Sequence, residues 1–138
     1  MLHSASMDDV MMYSLELSGG NFHLSDHFKL SELASGCGLD QVLVHPSLIV
    51  GLEELRAWAG GPIRVNSAFR SIRHNKAIGG AAGSKHRLGM AADVVSTTRS
   101  PGDIASWAEE RGWGGVGRYN TFTHLDVFGQ DRRWDQRS

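Results

Sequence analysis

Apolar residues recur at three- and four-residue steps between Pro46 and Ala59, where Leu48, Leu52, Leu55 and Ala59 fall along one side. This spacing predicts an amphipathic helix with Pro46 in its first turn, and Gly60-Gly61-Pro62 ends it. Ile63-Arg64-Val65-Asn66-Ser67 then alternates with period two, a strand with Ile63 and Val65 on one face. Met90 to Val95 reads as a buried strand, and Ser100-Pro101 opens a second helix running to about Arg111 with Ile104, Trp107 and Ala108 inward. Gly112 to Gly115 leads into Val116–Tyr119, a tight turn at Asn120 follows, and Phe122 to Phe128 forms a last strand.

The rest of the chain is less periodic. Residues 1 to about 20 end in Gly19-Gly20 and read as a strand or an arm. Ser25 or Asp26 caps a short helix through Leu33, which Ser35-Gly36-Cys37-Gly38 stops. Arg70 to Gly89 carries four glycines, at 79, 80, 83 and 89, and little regular pattern; such a segment inside a small domain is more often functional than idle. With helices first and strands later, the expectation is an α+β fold: one domain over residues 1–138, with a small antiparallel sheet against two to three helices.

Composition excludes several classes. A formal charge of -1, a pI near 6.6 and no basic stripe leave nothing for nucleic acid to bind. Cys37 is the single cysteine, so neither an internal disulfide nor a sulfur-rich zinc cage is available. Met1 to Met12 shows no secretory signal, and no run approaches the roughly 20 apolar residues of a membrane span.

The chemistry lies in two segments. Ser84-Lys85-His86-Arg87-Leu88-Gly89-Met90-Ala91-Ala92-Asp93 is answered by Thr123-His124-Leu125-Asp126. His86, Asp93 and His124 form the donor set of a three-ligand zinc site with one open position, which activates water for hydrolysis. On one helix His86 and Asp93 would sit roughly 10 Å apart, whereas two donors on one zinc are at most about 4 Å apart. Gly89 must therefore turn the chain, with His86 on a loop and Asp93 on a strand. An aspartate inside Met90–Val95 needs a partner, because an unpaired buried charge is very costly, and a metal supplies one. Strand alternation puts Asp126 on the side of His124, either as general base toward a metal-bound water or as an orienter of the imidazole. Arg70, after the first core strand, is a cation for a substrate carboxylate or for a developing oxyanion. His3, His23, His27 and His45 read as surface or satisfied core residues, and Trp113, Tyr119 and Trp134 as core aromatics, a cleft wall being the alternative.

Taken together, Ser67-x-x-Arg70, His74-Asn75-Lys76-Ala77-Ile78-Gly79-Gly80, Ser84-x-His86-x-x-Gly89-x-Ala91-x-Asp93 and Phe122-x-His124-x-Asp126 resemble the zinc D-Ala-D-Ala carboxypeptidase family. That family includes D-Ala-D-Ala dipeptidases and carboxypeptidases and phage L-Ala-D-Glu endolysins, and shares its fold with the hedgehog signalling domain. The likeness spans roughly residues 22 to 135 and is carried most specifically by the Ser84–Asp93 element. It implies zinc on His86, Asp93 and His124, a carbonyl-steadying Arg70, and Ser84 and His74 as substrate-binding residues. Many relatives place an acid three residues before the last ligand, or a histidine two before it; here those positions are Thr121 and Phe122, neither a base. The His-x-Asp form resembles short, often phage- or prophage-encoded members, with Asp126 as the nearest acid.

The resemblance implies a monomeric zinc peptidase acting on peptidoglycan stem peptides, made in the cytoplasm and reaching the wall after release or within a virion. The glycine-rich Arg70–Gly89 segment has few residues to build a lid, which favours an L-Ala-D-Glu endopeptidase over a D-Ala-D-Ala carboxypeptidase. A hedgehog-like zinc module without turnover and a virion structural component are the readings from other classes.

Overall fold

The computed structural model describes residues 9–129 and 131–138. Strand β1 (Met11–Ser14) leads into a single helical turn, α1 (Leu15–Ser18), then α2 (Leu30–Leu33), and β2 (Gln41–Val44) returns antiparallel to β1. Of the arm expected over residues 1 to about 20, the first eight lie outside the described residues. The helix expected from Ser25 or Asp26 starts later, at Leu30. The segment before it is tied as a turn instead: the Leu24 and Ser25 amides donate to the Phe28 carbonyl at 2.8 and 3.3 Å. Glu53 meanwhile accepts the Ser25 hydroxyl and the His27 amide. Ser25 is thus engaged across the fold and leaves no cap for a helix.

Helix α3 (Pro46–Ala59) has the bounds its apolar period predicts. His45 Nδ1 accepts the Ser47 amide at 3.0 Å, and Gly60, at φ 70°, closes the helix in the left-handed conformation that favours glycine. After β3 (Ile63–Ser67), the segment read as irregular contains a short helix, α4 (Ile72–Ala77), whose cap is the Ser71 hydroxyl accepting the His74 amide at 3.0 Å. A single 3₁₀ turn, Lys85–Leu88, precedes β4 (Ala91–Ser96). Then come α5 (Pro101–Glu110), capped by Ser100, and the strands β5 (Gly115–Arg118), β6 (Thr123–Asp126) and β7 (Arg132–Asp135).

The second half builds a five-stranded sheet in the order β3-β4-β6-β5-β7. The first four strands pair antiparallel, but β7 runs parallel to β5, from Gly115↔Arg132 to Arg118↔Asp135. The fold is α+β as expected; the sheet is mixed, where the sequence pointed to a wholly antiparallel one. Arg132-Arg133-Trp134-Asp135 has one aromatic and no apolar face, so it joins the sheet through its backbone, as in the Arg132 amide donating to the Gly114 carbonyl at 2.7 Å.

Strand alternation gives this sheet two different faces. Ala92 and Val94 of β4, Val116 of β5 and Leu125 of β6 point into the hydrophobic core, where α3 packs over β3 and β4 and α5 over β5 and β6. Leu48, Leu52, Leu55, Ile104, Ala105, Ala108 and Trp113 complete that layer with almost no exposure. Asp93, His124 and Asp126 project from the opposite face, against which the Lys85–Leu88 turn packs, with α4 beside that turn. The direct pairing Asp93↔His124 sets the first two side by side. Among the described residues, no helix is long and apolar enough to cross a membrane.

Candidate metal centre

His86 is delivered by the Lys85–Leu88 turn, and that turn is fixed at both ends. The Ser84 hydroxyl accepts the His86 amide at 3.3 Å, and the Arg70 amide donates to the His86 carbonyl at 3.0 Å. Gly89 then reverses the chain at φ 69°, with its α-carbon against the Leu43 carbonyl, where a Cβ would overlap backbone. Gly89→Ala is therefore expected to destabilise the protein by more than the roughly 1–2 kcal/mol of a left-handed non-glycine residue. It should also weaken zinc binding, because the turn carries one ligand and β4 the next. Melting curves and zinc titration check both effects.

The three donor atoms converge with their lone pairs inward. His86 Nδ1–H donates to the Ala68 carbonyl at 2.7 Å, which leaves Nε2 unprotonated and 3.2 Å from Asp93 Oδ1. His124 Nε2–H donates to Asp126 Oδ2 at 2.9 Å, which leaves Nδ1 facing the same Asp93 oxygen at 3.1 Å. Two imidazole nitrogens and a carboxylate oxygen thus meet in a buried space, an arrangement suited to a shared cation. Donors on one tetrahedral zinc sit about 3.3 Å apart at ordinary bond lengths, so the spacing and the N,N,O chemistry both fit zinc.

Behind the donors stands a supporting layer. Asp126, fully buried, accepts from His124, from the Phe128 amide at 3.1 Å and from the Arg132 guanidinium. A Cβ on Gly115, across the strand pair, would overlap this carboxylate, so only glycine leaves it room. Arg70 is held three ways: Nε donates to Ser67 Oγ at 3.0 Å, Nη1 to Asn75 Oδ1 at 3.3 Å, and Nη2 to Asp93 Oδ2 at 3.2 Å. Asn75 in turn donates to the Ala81 carbonyl at 2.8 Å, tying the glycine-rich segment to Arg70.

These contacts set the protonation states. Burial pushes the Asp93 and Asp126 carboxyls up, but hydrogen bonds from the histidines outweigh it and hold both below the usual carboxylate range. Burial pushes His124 down, yet Asp126 and Asp93 on either side raise it above its ordinary 6.5. Without metal, a proton on His124 is favoured between these carboxylates. A raised imidazole pKa contributes stability that is complete below 6.5 and lost as pH rises through the folded value. Metal-free protein is accordingly expected to melt lower as pH increases past neutrality. The stabilisation by added zinc should grow over the same window, because zinc displaces that proton. Paired melts from pH 6 to 9, with and without zinc, read out both trends.

The donors floor a cleft of about 460 Å³. Gly79–Ala81, Gly83, Ser84 and Lys85 form one wall; Tyr119, Phe122 and Trp134 form the other. Tyr119 stacks on Phe122 with centroids 4.3 Å apart, and the Trp134 indole N–H donates to the Tyr119 hydroxyl at 3.0 Å. A larger apolar groove of about 650 Å³ lies between β1, β2 and α3, but its only titratable carboxylates are Glu53 and Glu54 and no donors converge there. The chemistry therefore belongs to the smaller, more polar cleft.

The sequence-derived residues fall into three groups. His86, Asp93 and His124 come together, with Arg70 against Asp93, Asp126 behind His124 and Ser84 at the cleft wall. His74 does not reach the cleft; its ring lies against Gly36, and the neighbouring Asn75 is the buried residue that meets Arg70. Trp113 is in the core as expected, whereas Tyr119 and Trp134 line the cleft, the alternative to the core reading. Asn75 and Lys85 fall within the sequence motifs but have no role assigned there, and Arg132 lies outside them: a polar residue on a short helix and two cations in charged runs look like solvated surface. Of the remaining histidines, His45 is buried at the start of α3, His23 and His27 are exposed, and His3 lies outside the described residues.

A buried His-Asp-His donor set at the floor of an open cleft defines a candidate zinc centre. The chain belongs to the Peptidase M15 family, whose model matches residues 24–126 and so takes in all three donors. It is also similar to the zinc D-Ala-D-Ala carboxypeptidase of Streptomyces albus G, at 35% identity over 78 residues. That match covers 53% of this chain and 30% of the relative, so the chain spans about a third of the relative's length.

Proposed function

We propose that this chain hydrolyses a peptide bond in peptidoglycan stem peptides, as an L-Ala-D-Glu endopeptidase. The observation that carries the reading is the cleft itself, which has the metal donors at its floor and is lined by glycine-rich backbone, three aromatics and three cations. An open groove of this kind admits a peptide that continues past the scissile bond. Bound zinc would supply Lewis acidity toward the carbonyl and bring the pKa of its water to about 7.

The chain's own residues divide the remaining work. His86, Asp93 and His124 hold the metal. Arg70, held by Ser67, Asn75 and Asp93, steadies the Asp93 carboxylate through Oδ2 and keeps a fixed positive charge at the cleft, where it would favour the oxyanion as charge develops. Ser84 stands at the cleft wall for the substrate backbone, and Tyr119, Phe122 and Trp134 offer apolar and stacking surface. Asp126 acts as a positioning residue: its oxygens are engaged by His124, Phe128 and Arg132, and it keeps the His124 Nδ1 lone pair free.

A second reading, D-Ala-D-Ala carboxypeptidase, is favoured by the similarity to the Streptomyces albus G zinc D-Ala-D-Ala carboxypeptidase. Digestion of isolated cell walls, with and without a chelator, tests both. New L-alanine carboxyl termini and D-glutamyl amino termini in the product masses support the endopeptidase. Loss of terminal D-alanine alone supports the carboxypeptidase, and chelator-insensitive release would overturn the metal mechanism.

A further inference from the structure

Three cations, Arg70, Lys85 and Arg132, and two carboxylates, Asp93 and Asp126, line the cleft. The lining therefore carries one positive charge in excess, and three once a divalent zinc is bound. Both carboxylates face inward and are taken up by the histidines and arginines behind them. Arg70 is committed to Ser67, Asn75 and Asp93, and Arg132 to Asp126. Lys85 differs. Its ammonium rests 3.9 Å above the Phe128 ring, and among the described residues no carboxylate pairs with it. The Arg132 guanidinium lies over the same ring at 5.6 Å, so two cations share one aromatic beside the metal donors. Arg132 is neutralised there by Asp126, which leaves the Lys85 ammonium as the cleft cation without a carboxylate partner among the described residues. Lys85 also directly precedes the ligand His86 on the same fixed turn, and both residues line the cleft.

We propose that Lys85 is a specificity-determining residue that receives the free α-carboxylate of the leaving D-amino acid. This rests on the stem-peptide reading above and deepens it. In an L-Ala–D-Glu bond the glutamate continues through its side chain, so its α-carboxylate stays free one carbon from the scissile nitrogen. A terminal D-Ala–D-Ala bond presents the same group in the same place. An internal bond of an ordinary protein has an uncharged amide there. One cation beside the metal therefore separates wall peptides from proteins, whichever of the two bonds is cut. A charge-assisted hydrogen bond to this carboxylate corresponds to roughly 10- to 100-fold in affinity.

The test uses the zinc-loaded full chain and two non-hydrolysable leaving fragments, D-glutamate γ-methylamide and its α-carboxamide, with binding read by calorimetry. Wild-type protein is expected to bind the free carboxylate at least about 10-fold more tightly. The ratio should fall toward one in Lys85→Met and return in Lys85→Arg, with zinc at one per chain in all three proteins. Equal binding of the two fragments by wild type, or an unchanged ratio in Lys85→Met, overturns the assignment. Turnover of the parent peptides, free and amidated, is measured alongside, and the selectivity is expected in KM rather than kcat. Selective binding without hydrolysis refutes the hydrolase reading and leaves the role of Lys85 standing. Hydrolysis without selectivity does the reverse.

Discussion

Asp93→Asn is expected to leave the fold in place and reduce activity to about 0.1% of wild type or less, equivalent to some 4 kcal/mol of transition-state stabilisation at 1.4 kcal/mol per tenfold. The size follows from the number of groups that meet at this one side chain. Oδ1 faces both imidazole lone pairs, at 3.2 and 3.1 Å, and Oδ2 accepts from Arg70. An amide keeps the shape but turns a charged acceptor into a neutral group with donors of its own, aimed at lone pairs or at a guanidinium. Zinc content should fall with activity. Excess zinc should not restore the rate, since the lost group is a direct donor. Substantial turnover by a zinc-free Asp93→Asn protein would contradict the metal assignment.

Asp126→Asn should behave differently although its carboxylate lies within hydrogen-bond reach of the same histidine. It touches His124 at Nε2, on the far side of the ring from the donor Nδ1. Its loss is expected to lower zinc affinity about 10- to 100-fold and to let excess zinc recover most of the rate. Stability should drop as well, because Arg132 loses the buried partner it is held against. A loss of roughly 10²–10⁴-fold with zinc still fully bound would instead make Asp126 the general base. Rate against zinc concentration, measured for wild type and variant together, separates the two outcomes.

The parts of this molecule legible in the sequence are those where burial is periodic or chemistry is incompatible with burial. The stripe Leu48-Leu52-Leu55 matches α3, the alternation Ile63-Val65 matches β3, and Ser100-Pro101 marks the start of α5. Asp93 stood out because a carboxylate inside an apolar strand demands a counter-charge, and Gly89 because the reach from His86 to Asp93 demands a reversal. Illegible were elements formed by backbone and long-range partners. β2 needs β1, α4 needs only the Ser71 cap, and β7 needs the edge of β5. The supporting polar residues were hidden for a related reason. Whether Asn75 or His74 faces Arg70 depends on the rotation of a six-residue helix with no stripe to set its phase.

The parallel pairing of β7 gives this site an unusual division of labour along the chain. The donors all lie at or before residue 124, inside the stretch shared with the family, whereas Arg132 and Trp134 come from an edge strand beyond it. That strand is held by backbone hydrogen bonds that almost any side chains would permit. Arg132 pairs with the buried Asp126 and the Trp134 ring lies 4.9 Å from that of His124, so the same edge strand shapes one cleft wall and steadies a metal ligand. Exchanging the last few residues is therefore expected to change peptide preference and zinc affinity together.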